Sequence, residues 1–336
     1  MLTVNLSLDK SGINPYISST LLKKIEENLS AGKKIILYLN KRGEYSSLVC
    51  QDCQHIFKCP ACDISLSVHK HPEKLACHLC GYNSTIPLRC EKCSGTHLLK
   101  IGVGTQQIEK CLSDYLSSEK CKIYRFDLDN IKNISSKKEA LEHLKNADII
   151  IGTKMITTGF DFKKVGLVGV ILLEQELIIP NYDTEEKAYI NIKQIIGRGE
   201  RLGEKTDFIM QSFIPDNDLI KGLIEHNYKD FFKKTLEERK IFSYPPFVEM
   251  ATLEYRDTNQ EKAKNFMENL KNKLDIECKE ESEKGKVIEV VLNSTPRKKY
   301  NQYHYKIIIK GNNLRDFLQE IKPEIMRNSK LSVSFY

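Results

Sequence analysis

At 336 residues, 40% hydrophobic and 29% charged, the chain is long enough for two or three domains with real cores and has the make-up of an ordinary water-soluble protein. Its longest apolar run, Val165 to Leu173, is far short of the ~20 residues of a bilayer-crossing helix, so no membrane span is expected. The formal net charge of +7 counts every thiol as neutral; eight metal-bound thiolates and two divalent ions would bring it to about +3, so charge alone does not single out a nucleic-acid partner.

Residues 1–15 are mixed and end in the turn signal Asn14-Pro15. Ser18 or Ser19 then caps a helix through Leu21, Leu22, Ile25 and Leu29, which Gly32 stops. Ile35-Ile36-Leu37-Tyr38-Leu39 reads as a buried strand, and Asn40-Lys41-Arg42-Gly43 follows at its C-terminal end, where ligands gather in open α/β sheets.

Four Cys-x-x-Cys pairs come next: Cys50/Cys53, Cys59/Cys62, Cys77/Cys80 and Cys90/Cys93. A two-residue spacer lets both thiolates reach one ion, and two such pairs close a tetrahedral Zn²⁺ shell, so two zinc ions are expected. The spacing between the inner pairs suits a zinc ribbon of Cys59, Cys62, Cys77 and Cys80, leaving Cys50, Cys53, Cys90 and Cys93 for the second ion. Nesting is preferred because the first two pairs are too close together for two separate knuckles to close comfortably on one metal. Gly81 follows Cys80, where a small residue helps backbone N–H groups point at a sulfur. A disulfide framework is the alternative; the expected cytosolic location, with no signal peptide, keeps thiols reduced and argues against it. With all four positions cysteine, no place is open for a catalytic water, so the ions are structural and a zinc-dependent hydrolase is disfavoured. His55, His69, His71 and His78 lie nearby and are expected on the surface or behind the ligands. Cys111, Cys121 and Cys278 lack partner spacing and read as small core residues.

Beyond the cysteines the pattern alternates: a helix from about Thr105 to Leu116, a strand over Lys122 to Phe126, a helix over about Lys137 to Lys145, and strands over Asp148 to Gly152 and Leu167 to Leu173. A helix over about Glu185 to Ile196 and a strand over Phe208 to Phe213 complete it. Such alternation predicts a mostly parallel sheet covered on both faces, into which the cysteine block is inserted after the first strand. Leu219 to Arg239 reads as helical, and Tyr244-Pro245-Pro246-Phe247 marks a domain boundary. The remainder, with strands at Met250 to Tyr255, Val287 to Leu292, Tyr303 to Lys310 and Leu331 to Phe335 and helices at Glu261 to Leu274 and Leu314 to Ile321, predicts a small α+β domain. The expected domains are residues 1–45 with 98–239, the insertion 46–97, and 240–336.

Three segments could carry chemistry. Ile151 to Phe162, with Gly152, Thr153 and Gly159, is a polar loop after a strand; it could bring backbone N–H groups to a phosphate or serve as a plain turn. Gln194, Arg198 and Arg201 share one side of a helix, and two guanidiniums held there suit the charge of a transferring phosphoryl group or form a solvated basic end. Arg297, Lys298, Lys299 and Tyr300, beside Tyr303 to Lys306, interleave cations with aromatics as single-strand binders do; an ordinary hairpin would instead turn Tyr303, Tyr305, Ile307 and Ile309 to the core.

Taken together, Leu39-Asn40-Lys41-Arg42-Gly43, the four cysteine pairs, Gly102-Val103-Gly104-Thr105 with Glu109, the two loop and helix segments, and the Tyr244-Pro245-Pro246-Phe247 junction resemble the C-terminal half of the primosomal protein N′ (PriA) family, bacterial replication-restart helicases of superfamily 2. The resemblance implies a RecA-like second helicase lobe with a two-zinc insertion, then a small C-terminal domain, in a cytoplasmic, nucleoid-associated 3′→5′ DNA helicase. It implies Arg198 and Arg201 as arginine fingers, Gly159 and Gln194 at the nucleotide, and Arg42 and Thr153 on DNA; the cation–aromatic pattern adds Arg297, Lys298 and Lys299 as further DNA candidates. Forked or single-stranded DNA, single-stranded-DNA-binding protein and primosome proteins are the implied partners. No Gly-x-x-x-x-Gly-Lys-Ser/Thr loop and no Asp-Glu dipeptide occurs. ATP and Mg²⁺ are therefore expected only with a first lobe supplied by another chain. Thr158 and Glu200 stand where the family usually has Lys and Gly, and Asn181, Asp183 and Lys187 alter a charge pattern. A non-enzymatic zinc module that binds forked or single-stranded DNA and primosome partners is the rival reading.

Overall fold

A computed structural model describes residues 1–9, 11–40, 46–70, 73–116, 121–127, 137–157, 164–177, 181–200, 206–225, 227–283, 288–299, 301–320 and 328–336. The chain divides into two compact units, residues 1–57, 87–179 and 183–231, and residues 58–86, 180–182 and 232–336.

The first unit is built on six parallel strands in the order β1-β11-β10-β2-β9-β8. They are β1 (Leu2–Asn5), β2 (Lys34–Tyr38), β8 (Ile123–Phe126), β9 (Ile149–Gly152), β10 (Val165–Val170) and β11 (Asp207–Ser212). Central β2 is flanked by β10 and β9, with Ile36 opposite Val168 on one side and Ile150 on the other. Every residue from Ile35 to Leu39 is at most 1% exposed. A strand covered on both faces has no polar side to show, hence the unbroken apolar run.

Helix α1 (Ser19–Ser30) begins where the Ser18 hydroxyl accepts from the Leu21 amide at 3.0 Å and turns Leu21, Leu22 and Ile25 inward. It packs on β2 and β10. A methyl on Gly169 would meet Leu37 Cδ2 at 2.9 Å and Leu21 Cδ1 at 3.1 Å, so the missing side chain lets the helix settle there. Helix α2 (Thr105–Leu116) packs on β8 and β9, and α3 (Lys137–Asn146) on β8.

After β10 the chain turns through the short helix α4 (Glu174–Leu177) into α5 (Thr184–Glu200). Glu174 is fully buried and accepts from the Ser212 hydroxyl at 2.7 Å and the amides of Phe213 and Ile214 at 2.6 and 3.0 Å. Glu176 accepts from Tyr38 Oη and from Asn191 Nδ2. The expected strand through Leu173 thus ends three residues early, because Ile171 to Leu173 stay buried while the backbone already turns. The expected helix over Leu219 to Arg239 is two helices, α6 (Asp218–Ile224) and α7 (Tyr228–Ile241), α6 capped by the Asn217 side chain.

In the second unit an antiparallel sheet runs β13-β14-β12-β15. Its strands are β12 (Glu249–Asp257), β13 (Ile288–Lys299), β14 (Gln302–Gly311) and β15 (Leu331–Phe335). One face presents Ala251, Leu253, Tyr255, Tyr305, Ile307 and Ile309 to Met267, Leu270 and Leu274 of α8 (Gln260–Glu283) and Phe317 of α9 (Leu314–Glu320). The architecture is therefore α/β, with a helix-flanked parallel sheet and a separate antiparallel C-terminal sheet.

Candidate metal centres

The cysteine segment adds short strands to each unit. In the first unit β3 (Ser46–Cys50) pairs antiparallel with β7 (Leu98–Ile101); in the second, β4 (Ser67–Lys70) pairs with β5 (Glu73–Ala76) and β5 with β6 (Asn83–Ser84).

All four Cys-x-x-Cys pairs adopt the same turn. The amide of the first cysteine donates to a carbonyl five residues on: Cys50 to His55 at 2.9 Å, Cys59 to Ile64 at 2.8 Å, Cys77 to Tyr82 at 2.7 Å and Cys90 to Gly95 at 2.8 Å. Its carbonyl accepts from the amide four residues on, that of Gln54, Asp63, Gly81 or Ser94, at 2.8–3.0 Å. That residue, directly after the second cysteine, is left-handed in every turn, with φ of 61°, 52°, 80° and 60°. The reversal brings backbone amides onto sulfur, with Leu79 N to Cys77 Sγ, Lys92 N to Cys90 Sγ and Gly95 N to Cys93 Sγ all at 3.4 Å.

The four turns gather as two nested quartets, Cys50, Cys53, Cys90 and Cys93 in the first unit and Cys59, Cys62, Cys77 and Cys80 in the second. Within each quartet every sulfur lies within 4.8 Å of the others. The pairs Cys50–Cys93, Cys53–Cys90 and Cys59–Cys80 are 3.6 Å apart. A tetrahedron with Zn–S bonds of ~2.3 Å has edges of about 3.8 Å, so both quartets fit Zn²⁺ with no remaining ligand position. Four sulfurs this close cannot all carry charge without a cation. Hydrogen bonds from Cys62 and Cys77 hold the Cys59 thiol far below its usual range, and those same contacts push Cys62 and Cys77 up. Burial likewise pushes Cys53 up to about 12.

Each quartet has its own support. Beside the outer one, Asp52 Oδ1 pairs with His97 Nδ1 at 2.7 Å and Asp52 Oδ2 accepts from the His97 amide at 3.4 Å; these contacts lower the Asp52 pKa. A methyl on Gly95 would stand 2.0 Å from that carboxylate. Beside the inner quartet, Tyr244 Oη donates to the Cys62 carbonyl at 3.0 Å. Lys310 Nζ lies 3.9 Å from the centre of the Tyr244 ring and donates to the Phe242 carbonyl at 3.1 Å. Burial lowers the Lys310 pKa, opposed by Glu289 and the sulfurs of Cys62 and Cys80. A Zn²⁺ bound by four thiolates carries two negative charges, and this buried ammonium compensates part of them. Neither Asp52 nor Lys310 announces this role in the sequence. The left-handed residues were findable, since Gly81 marks in one turn what Gln54, Asp63 and Ser94 do in the others.

Of the residues expected at nucleotide or DNA, Thr153 is buried at the C-terminal end of β9. Gln194 is exposed on α5, which continues through position 198, although the Arg198 side chain is not described. Arg42, Gly159 and Arg201 lie outside the described residues. Arg297, Lys298 and Lys299 occupy β13 opposite His304, Tyr303 and Gln302, their side chains likewise not described. No described helix is long and apolar enough to cross a membrane.

Comparison with known proteins adds a family to this geometry. The PriA DNA helicase Cys-rich region (CRR) domain matches residues 59–84. The chain is 31% identical to replication restart protein PriA of Bacillus subtilis over 94% of its own length and 40% of the relative. It is 33% identical to PriA of Chlamydia pneumoniae over 74% of the chain and 34% of that relative. With PriA of Haemophilus influenzae it shares 30% identity over 78% of the chain and 36% of that protein. The chain thus spans between a third and two fifths of the length of these relatives.

Proposed function

From the premise that this chain corresponds to a C-terminal portion of the replication restart protein PriA, we propose that it contributes the second motor lobe, zinc module and C-terminal domain of an ATP-dependent 3′→5′ DNA helicase acting in replication restart and primosome assembly. The observation that carries this reading is the likeness to PriA over 94% of the chain. The cysteine quartets leave no open metal position, so zinc acts here as scaffold. We assign residues 1–45 with 98–239 to the lobe, 46–97 to the module and 240–336 to the C-terminal domain.

In this reading Arg198 and Arg201 reach across to the γ-phosphate of an ATP held with Mg²⁺ by a first lobe, where their charge is needed only as phosphoryl transfer develops. Gly159 and Gln194 meet the nucleotide, and Arg42 and Thr153 meet the DNA backbone. Arg297, Lys298 and Lys299 offer further cations to forked or single-stranded DNA, and the zinc module engages single-stranded-DNA-binding protein and primosome proteins. The complex works in the bacterial cytoplasm, at the nucleoid.

The test is DNA-stimulated ATP turnover by the chain alone, by the chain with a first-lobe fragment from a related helicase, and by the same mixture carrying Arg198→Ala. We expect no turnover alone, turnover in the mixture, and a loss of about 10³-fold or more in the variant, the scale of an arginine finger. Absence of turnover with a first lobe shown to bind the chain, while forked DNA is still bound, would replace the motor with a non-enzymatic binding module.

A further inference from the structure

Two histidines meet beside the Cys77–Cys80 turn of the inner quartet. His69 lies on β4, and His78 sits inside the Cys77–Cys80 turn, where the His78 carbonyl accepts from Asn293 Nδ2 at 2.7 Å. Both are half-buried. Their Nε2 atoms are 3.2 Å apart, and their ring centres 5.0 Å apart.

These two distances constrain where the rings point. Each Nε2 lies about 1.15 Å from its ring centre, so two imidazoles meeting head-on across a 3.2 Å hydrogen bond would have centres about 5.5 Å apart. The observed 5.0 Å is shorter, so the rings meet off the line joining the nitrogens, with their planes tilted by 39°. A nitrogen separation of 3.2 Å lies between the ~2.9 Å edge of an octahedral and the ~3.3 Å edge of a tetrahedral shell with Zn–N bonds of ~2.0–2.1 Å. The electronic state is suitable too: burial and the nearby Lys74 lower the pKa of His69, favouring the neutral ring whose lone pair can bind a metal.

We propose that His69 and His78 form a third metal site in this chain, an exchangeable one that holds a divalent, imidazole-preferring ion such as Zn²⁺ through the two Nε2 atoms. It differs from the cysteine quartets in kind. Two nitrogen ligands leave coordination positions for water or for an oxygen ligand from solution, so the ion comes and goes where the thiolate-bound ions stay. Because His69 is carried by a strand and His78 by a turn already fixed to Asn293, little ordering accompanies binding.

The test uses the whole chain with both cysteine quartets zinc-loaded. Equilibrium dialysis against Zn²⁺ followed by metal quantitation should count three ions, one of which a brief chelator wash removes. His69→Gln and His78→Gln should each bind the third ion at least tenfold more weakly while retaining two. His69→Gln keeps the experiment decisive if the change beside Cys77 disturbs the quartet. Co²⁺ added to the zinc-loaded protein should give weak ligand-field bands without intense sulfur-to-metal charge transfer. A native count of two, a third ion held equally well by His69→Gln, or cobalt arriving with sulfur charge transfer would each overturn the proposal.

Discussion

A left-handed backbone costs an L-residue about 1 kcal/mol or more, because its Cβ crowds the following carbonyl oxygen. Three of the four zinc turns carry that cost, at Gln54, Asp63 and Ser94, and only Gly81 avoids it. Gln54 and Asp63 have compensation, since their side chains bond Asp216 at 2.9 Å and Lys58 at 3.1 Å. Exposed Ser94 makes its bonds through the backbone, accepting from Arg89 Nη1 at 3.3 Å and donating from its amide to the Cys90 carbonyl. Ser94→Gly should therefore stabilise the metal-loaded protein by about 0.5–1 kcal/mol, the relief being partly offset by the freedom glycine gains when unfolded. Gly81→Ala should lose about 1–2 kcal/mol for the converse reason. Chemical denaturation of the zinc-loaded protein checks both, and a destabilised Ser94→Gly would show that the turn is not strained. The quartets could be seen in the sequence because ligand spacing is a covalent constraint that no packing revises. The supports could not: Asp52, Tyr244 and Lys310 act through contacts spanning 45, 182 and 66 residues of chain.

Among the elements, those with a strong repeating pattern were legible. The short, β-branched run Ile35 to Leu39 and the alternation Tyr303, Tyr305, Ile307 and Ile309 both favour strands, and both formed. Strand β1 is not legible in the sequence because Leu2 to Asn5 is short and lies at the sheet edge, held by register with β11 rather than by a pattern of its own. Helix α8 runs past the expected end at Leu274 and continues to Glu283 through a polar stretch that has no glycine or proline to end it. Just before it, Asp257 organises the end of β12. Its Oδ1 accepts from the Asn259 amide at 2.9 Å, and its Oδ2 meets Lys330 Nζ, from the turn before β15, at 2.6 Å. The amide first, and then the ammonium, bring the Asp257 pKa from 3.8 to about 2. A depressed carboxylate stabilises the fold fully above its unfolded pKa and loses that contribution as pH falls through the folded one, so this tether weakens between about pH 4 and pH 2. Lys330→Ala should move the Asp257 titration upward, toward the ordinary carboxylate range, as read from side-chain carbonyl shifts in NMR; an unmoved titration would leave the amide alone responsible.

For the whole molecule, the cysteine segment is continuous in sequence but divided in structure, one quartet being part of each compact unit. The inner quartet belongs to the C-terminal unit in substance. Tyr244, Met250 and Ile308 form a small apolar cluster with Leu79 from the Cys77–Cys80 turn, and Tyr244 also bonds the Cys62 carbonyl. Structural zinc in small modules supplies binding energy that is folding energy, on the order of 10 kcal/mol in isolated fingers, so losing an ion should release the unit that holds it. Cys77→Ser should cost one zinc and speed amide exchange around Met250 and Ile308 in β12 and β14. Cys93→Ser should also cost one zinc, but speed exchange in β3 and β7 and leave the C-terminal sheet protected. Hydrogen-exchange mass spectrometry with metal quantitation separates the two outcomes. If either substitution loosened both sets of strands equally, the cysteine segment would be a single cooperative module, as its continuity in sequence suggests, and the division of the two ions between two units would carry no energetic weight.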